Sequence, residues 1–254
     1  MVLNAFRLDG RVAVVTGAGR GLGRAMALGL AEAGADLAVS GRQREPIESL
    51  AAEARALGRR VLVASGDVTS PADQEALVRG TLDTFGRLDA LVNNAGTTFR
   101  APSEEYPETE WDRVMGVNLK GPFQLLQRVG RVMMARGGGS IVNVGSLIAE
   151  IGMPNIPAYA ASKAGIEELT RCLAVEWAKY GIRVNAITPG YFRTDMTAGL
   201  DKDPDRGPKI ASRIPLKRWG MPEDLKGAAV FLVSDASAYV TGISLPVDGG
   251  WLAG

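Results

Sequence analysis

Short apolar runs alternate with longer helix-patterned segments along this chain, and that alternation limits its fold more than any other feature. The runs are Arg11–Thr16, Asp36–Ser40, Arg60–Ser65, Leu88–Asn93, Ser140–Val144, Ile182–Ile187 and Ser244–Val247. Helical patterns lie between them at Gly21–Ala33, Glu45–Leu57, Pro71–Phe85, Glu108–Ala135, Tyr159–Tyr180 and Glu223–Ser234. Gly34, Gly58 and Gly181 stop three of these helices and Pro71 opens another, as the physics of helix ends requires. Val12–Val15, Leu62–Ala64 and Leu91–Val92 are apolar at successive positions rather than alternate ones. A strand of that kind has both faces covered. Strand–helix–strand units at this spacing imply right-handed crossovers, hence an α/β fold: a doubly wound parallel sheet with helices on both faces. No composition shift divides residues 1–254, so a single domain is expected. A polar, Pro/Gly-rich stretch at Tyr191–Pro215 breaks the alternation and reads as a mobile segment or substrate lid.

The bulk chemistry narrows the function. Lys plus Arg number 29 against 28 Asp plus Glu, which points away from nucleic acid and membrane surfaces as partners. No stretch approaches the roughly 20 apolar residues of a membrane span. Met1–Leu8 lacks the basic-then-apolar pattern of a signal peptide. With Cys172 as the one cysteine, an internal disulfide is impossible and a reducing, cytoplasmic setting is expected. The absence of histidine matters most. It removes the Ser-His-Asp triad, the Cys-His pair and most catalytic zinc sites, and no metal is expected. Any proton chemistry must come from tyrosine, lysine, a carboxylate or water.

The first run ends in Thr16-Gly17-Ala18-Gly19-Arg20-Gly21-Leu22-Gly23 and leads straight into a helix. Gly17 allows a tight turn, Gly21 lets backbone approach a pyrophosphate, and Gly23 lets helix and sheet pack closely. The helix N-terminus then supplies free N–H groups and a favourable dipole. The pattern reads as the dinucleotide-binding turn of a Rossmann sheet, although a strand-to-helix turn without ligand has the same glycines. Further on, Tyr159 and Lys163 share one helix face, four residues apart. A phenol titrates near pH 10, and a neighbouring ammonium favours its ionised form. Ser146 follows a strand, at the edge where α/β ligand sites form. Its hydroxyl can hold a substrate oxygen as charge develops there.

These residues, taken together, resemble the short-chain dehydrogenase/reductase family over nearly the whole chain. The likeness rests on the Gly-x3-Gly-x-Gly turn, Asn93-Asn94-Ala95-Gly96, Asn118, Ser146, Tyr159-x3-Lys163 and Pro189-Gly190. It implies a nicotinamide-dependent enzyme that moves a hydride between its cofactor and a secondary alcohol or ketone. By that resemblance Ser146 positions the substrate, Tyr159 transfers the proton, Lys163 tunes the tyrosine and binds ribose, and Asn118 supports a water-linked proton path. An Asn within a helix can also simply cap or kink it. The resemblance assigns cofactor contacts to Gly17, Gly19, Arg20, Gly21, Leu22, Gly23, Asp67, Val68, Asn94, Ala95, Gly96, Pro189, Gly190 and Thr194. Asp67 reads equally as a cap before Pro71, and Gly190 as a turn residue. It also implies a homotetramer through the helices of Glu108–Ala135 and Tyr159–Tyr180, with Trp251-Leu252 near a neighbouring subunit.

An NAD site usually ends its second strand in Asp or Glu. Here that place holds Gly41 and then Arg42, with Arg20 in the glycine turn, so NADP(H) is favoured and NAD(H) is the alternative. Leu3-Asn4-Ala5-Phe6, Pro189-Gly190-Tyr191-Phe192 and Arg218-Trp219-Gly220 resemble the gluconate- and deoxygluconate-oxidising members. A sugar acid needs a cation for its carboxylate, and Arg100 and Arg193 are the candidates. The alternatives are a 3-oxoacyl-thioester reductase with the same catalytic set, and a non-catalytic dinucleotide sensor.

Overall fold

A computed structural model describes residues 1–254. Seven parallel strands form one sheet: β1 Val12–Thr16, β2 Asp36–Gly41, β3 Val61–Ser65, β4 Ala90–Asn93, β5 Gly139–Val144, β6 Ile182–Pro189 and β7 Ser244–Val247. Their spatial order is β3-β2-β1-β4-β5-β6-β7. The order reverses between β1 and β4, which opens a crevice at their carboxyl ends.

Each central strand feeds two cores. Ala13 and Val15 of β1, with Val92 of β4, join one cluster; Val14 and Leu91 join the other. The first cluster is completed by Met26 and Leu30 of α1 (Gly21–Glu32), Leu50 of α2 (Arg44–Ala56) and Leu232 of α9 (Lys226–Val233). The second takes Leu77 of α3 (Pro71–Phe85), Leu125 and Met133 of α5 (Gly121–Arg136), and Ile166 and Trp177 of α6 (Pro157–Trp177). Two covered faces explain why the strands lack polar alternation.

Glu108–Ala135, read from sequence as one helical region, is α4 (Glu108–Met115) and α5 joined by a π-helical turn at Gly116–Lys120. Tyr191–Pro215 carries two short helices, α7 (Ala198–Asp201) and α8 (Arg206–Arg213). Ser70, rather than Asp67, caps α3, accepting from the Asp73 amide at 3.2 Å. The carboxyl ends of β1, β4, β5 and β6 therefore line up Gly17, Asn94, Ser146 and Gly190 along one edge of the sheet. No helix is long and apolar enough to cross a membrane.

Candidate active site

The glycine turn is shaped by close packing. Gly17 has φ 62°, and a Cβ there would stand 2.9 Å from the Ala95 Cα. At Gly23 a Cβ would collide with the Asn94 side chain and the Gly17 carbonyl. Asn94 closes the arrangement: its Nδ2 donates to the Thr16 and Gly17 carbonyls at 2.9 and 3.1 Å. Its side chain thus serves the turn itself. No side chain caps α1, so its first amides stay available to a phosphate, as Ser70 prevents at α3. Leu22 packs on the first core; a Cβ at Gly19 would press on Pro46, and one at Gly21 would meet Thr194. Arg20 pairs with Asp195 at 3.2 Å, joining the turn to the segment after β6.

At the end of β2, Arg42 is exposed, while nearby Arg44 and Arg60 are paired with Glu48 and Asp36. The Arg42 charge reaches Asp67, whose carboxyl is held low chiefly by hydrogen bonds from the Thr69 amide and hydroxyl. Asp67 is therefore a turn cap in this structure, and its neighbour Val68 uses its carbonyl to accept from Gln74. Gly190 is close-packed on β7's continuation: a Cβ would stand 2.6 Å from the Asp248 Cα.

The proposed proton-transfer group sits beyond β5. Ser146 is buried and caps a short 3-10 turn, accepting from the Ile148 amide at 3.3 Å. Burial pushes the Tyr159 phenol up; the Ser146 hydroxyl and then the Arg100 charge act against this. Lys163 is buried, donates from Nζ to the Val144 carbonyl at 2.6 Å, and lies 5.7 Å from the Tyr159 ring centre. Sequence reasoning assigned the lowering of Tyr159 to Lys163; in the structure desolvation outweighs the opposing effects, and the cation acting on the phenol is Arg100. Asn118 lies in the π-turn, where its Oδ1 accepts from the Thr97 amide at 2.8 Å and its Nδ2 donates to the Thr97 carbonyl and the Ser162 hydroxyl. The extra residue of the π-turn turns this side chain toward the strand β4 loop, as such turns commonly do at functional sites. Gly96 lies beside both Asn118 and Lys163.

Sequence reasoning missed the far wall of the cleft. Tyr191 meets Trp219 edge-on at 5.3 Å and Trp251 at 4.7 Å, and Arg213 lies over Trp251 at 4.3 Å. Arg100, Arg213 and Arg206 all bear on the Tyr191 hydroxyl. These residues come from a non-periodic segment and the chain terminus, where spacing carries no signal. Trp251, expected near another subunit, is 5% exposed within its own. Of the two arginines expected for an acid, Arg100 bears on both tyrosines. Arg193 is instead paired with Asp201 at 3.3 Å.

Comparison with known proteins matches this geometry. The family model described as enoyl-(acyl carrier protein) reductase matches residues 17–252. A 2-dehydro-3-deoxy-D-gluconate 5-dehydrogenase of Dickeya dadantii is 47% identical over 254 residues, covering 100% of both chains. A 3-oxoacyl-[acyl-carrier-protein] reductase of Thermotoga maritima is 42% identical, covering 96% of this chain and 98% of that one. The crystal structure of a gluconate 5-dehydrogenase from Burkholderia cenocepacia, in complex with NADP and tartrate, superposes with a TM-score of 0.96 at 41% identity over 100% of both chains. With the sheet order, glycine turn and full-length likeness in agreement, the chain belongs to the short-chain dehydrogenase/reductase family and is an oxidoreductase using a nicotinamide dinucleotide.

Proposed function

We propose that this enzyme interconverts a secondary hydroxyl and a ketone on a sugar acid of the gluconate or deoxygluconate type, with NADP(H) as cofactor. The observation that carries the substrate class is Arg100, an exposed cation whose charge reaches both Tyr159 and Tyr191. A carboxylate at that end of the cleft gains a charge-assisted contact. The relatives named for gluconate and 2-dehydro-3-deoxy-D-gluconate support the same class. Arg42 supports the cofactor choice, since its guanidinium suits a 2′-phosphate and no carboxylate stands at that strand end to repel one.

When bound, the nicotinamide accepts or supplies the hydride. The chain's own groups do the rest. Ser146 holds the substrate oxygen, Tyr159 takes up or returns its proton, and Lys163 provides the positive charge that favours phenolate. Asn118 fixes the backbone at Thr97 beside that path. Gly17, Gly21 and the α1 amides receive the pyrophosphate, and Pro189, Gly190 and Thr194 border the nicotinamide end. Residues 191–215 act as the lid over the substrate. Val175 on α6, 83% exposed, and the exposed Tyr239 are apolar surface that a homotetramer would cover. A reducing cytoplasm suits a chain with a lone exposed cysteine.

The test is direct. Purified protein with NADP+ and gluconate, or with a deoxygluconate, should generate reduced-nicotinamide absorbance. Turnover of NADPH with an acetoacetyl thioester, and none with any sugar acid, would overturn this substrate class in favour of the thioester reductase that the Thermotoga relative represents.

A further inference from the structure

Only two charged side chains in the molecule are buried, Lys163 and Glu167, and they stand four residues apart on α6. The proton-transfer scheme uses the lysine and leaves the glutamate without a task. Glu167 is 1% exposed, and a carboxylate is costly to bury unless it is paired and hydrogen-bonded.

Three strand ends converge on this carboxylate. At the end of β6, the Thr188 hydroxyl donates to its Oε1 at 2.9 Å. The Ser244 hydroxyl, at the start of β7 and otherwise unpartnered, faces it, as does the Ser146 amide after β5. Gly145 packs on it so closely that a Cβ there would overlap Oε1. Glu167 therefore lies directly beneath Gly145-Ser146, the segment that presents the serine hydroxyl, and one turn from the lysine ammonium.

We infer that Glu167 is a positioning residue for the reaction, seating Ser146 from below through its backbone and keeping the Lys163 ammonium charged. The inference rests on the roles given above to Tyr159 and Lys163. Burial pulls Lys163 down, to about 8 even with Glu167 beside it, and Glu167 is the one charge acting against that fall. The charged groups facing Glu167 are Lys163 and Arg171, one turn away on either side, and Glu150 from the segment after β5. Glu150 opposes ionisation of Glu167, while the Thr188 and Ser244 hydroxyls favour it.

The experiment is the pH profile of kcat/KM for alcohol oxidation by the full enzyme carrying Glu167→Gln, with thermal stability measured alongside. Glutamine keeps an acceptor for Thr188 and removes the charge. Without a facing negative charge the ammonium loses its proton more easily, so the alkaline limb should move toward neutral pH, by about half a unit to one unit. Activity at the alkaline end should fall severalfold, and Glu167→Asp should restore part of the limb. A purely structural residue would lower activity equally at every pH and leave the limb in place; that result overturns the inference. Should Glu167→Gln fail to fold, Thr188→Val removes one hydroxyl that favours the carboxylate and should move the limb in the same direction; an unmoved limb there overturns it as well. Tyr159→Phe separates the two claims. Retained turnover in that variant refutes the tyrosine's role itself, whereas an inactive Tyr159→Phe with an unmoved limb in Glu167→Gln refutes only the part given to Glu167.

Discussion

The Lys163 ammonium lies 5.7 Å from the centre of the Tyr159 ring and donates its hydrogen bond to the Val144 carbonyl at 2.6 Å. The pair shares a helix face, but the lysine is anchored to the last residue of β5, two residues before Ser146. In a chain without histidine, the tyrosine is the group proposed above for proton transfer. Tyr159→Phe is expected to lower kcat about 10²- to 10⁴-fold, the usual worth of a positioned acid or base. Cofactor affinity, read by fluorescence titration, should change little because the ring remains. Turnover within a few-fold of the wild type would remove Tyr159 from the mechanism.

A buried lysine also leaves a mark on stability. Its value falls from 10.5 to about 8 on folding, mainly through desolvation. Between those values the unfolded chain holds a proton that the folded protein has lost, so stability from this group rises with pH across the window from about 8 to 10.5. Below pH 8 the penalty is felt in full. Lys163→Met, which loses the bond to Val144, should still make the cofactor-free protein more stable at pH 7 by about 1–3 kcal/mol. The gain should shrink as pH passes upward through that window. Urea unfolding of both proteins at several pH values checks it, and a gain that grows with pH would contradict the assignment.

Much of this was legible in the sequence because the relevant signals are local. Strand runs, glycine stops and the four-residue spacing of Tyr159 and Lys163 each express backbone geometry directly. The π-turn at Gly116–Lys120 was not legible, since the partner of its Asn118 is Thr97, twenty-one residues away. Asn94 and Asp67 carry residue types suited to cofactor contact, yet their side chains serve the glycine turn and the Thr69 turn. Arg193 has the right charge in the right segment, but Asp201, eight residues on, takes it up. The wall built from Tyr191, Trp219 and Trp251 joins three distant points of the chain, and only tertiary packing reveals it.

Arg42 offers a clean test of cofactor choice. It is exposed, outside any ion pair, and stands where a carboxylate would hold the ribose hydroxyls of NAD. A charge-assisted bond to a 2′-phosphate contributes about 1.5–3 kcal/mol, so Arg42→Ala should raise KM for NADP+ roughly 10- to 100-fold. KM for NAD+ should stay within about twofold, as NAD carries no 2′-phosphate for the guanidinium to meet. Equal changes for both cofactors would place the arginine's effect in the fold rather than in recognition.

Arg100 tests the substrate class by the same logic. Its charge acts on Tyr159 and Tyr191 together, so a carboxylate bound between them would neutralise it. Arg100→Ala should raise KM for gluconate-like acids about 10- to 100-fold, the range of a charge-assisted hydrogen bond. Neutral ketones of similar size make no such contact and should lose little affinity. Their kcat has a second route to change, because Arg100 also favours the ionised Tyr159; its removal raises that phenol further and should move the acidic limb of the oxidation profile upward for every substrate. The two effects separate cleanly: the KM change depends on the substrate's charge, and the limb shift does not. Arg193→Ala, which breaks only an exposed pair with Asp201, should do neither. Steady-state kinetics of both variants on gluconate and on a neutral polyol decide the matter, and equal KM changes for acid and polyol in Arg100→Ala would sink the sugar-acid reading.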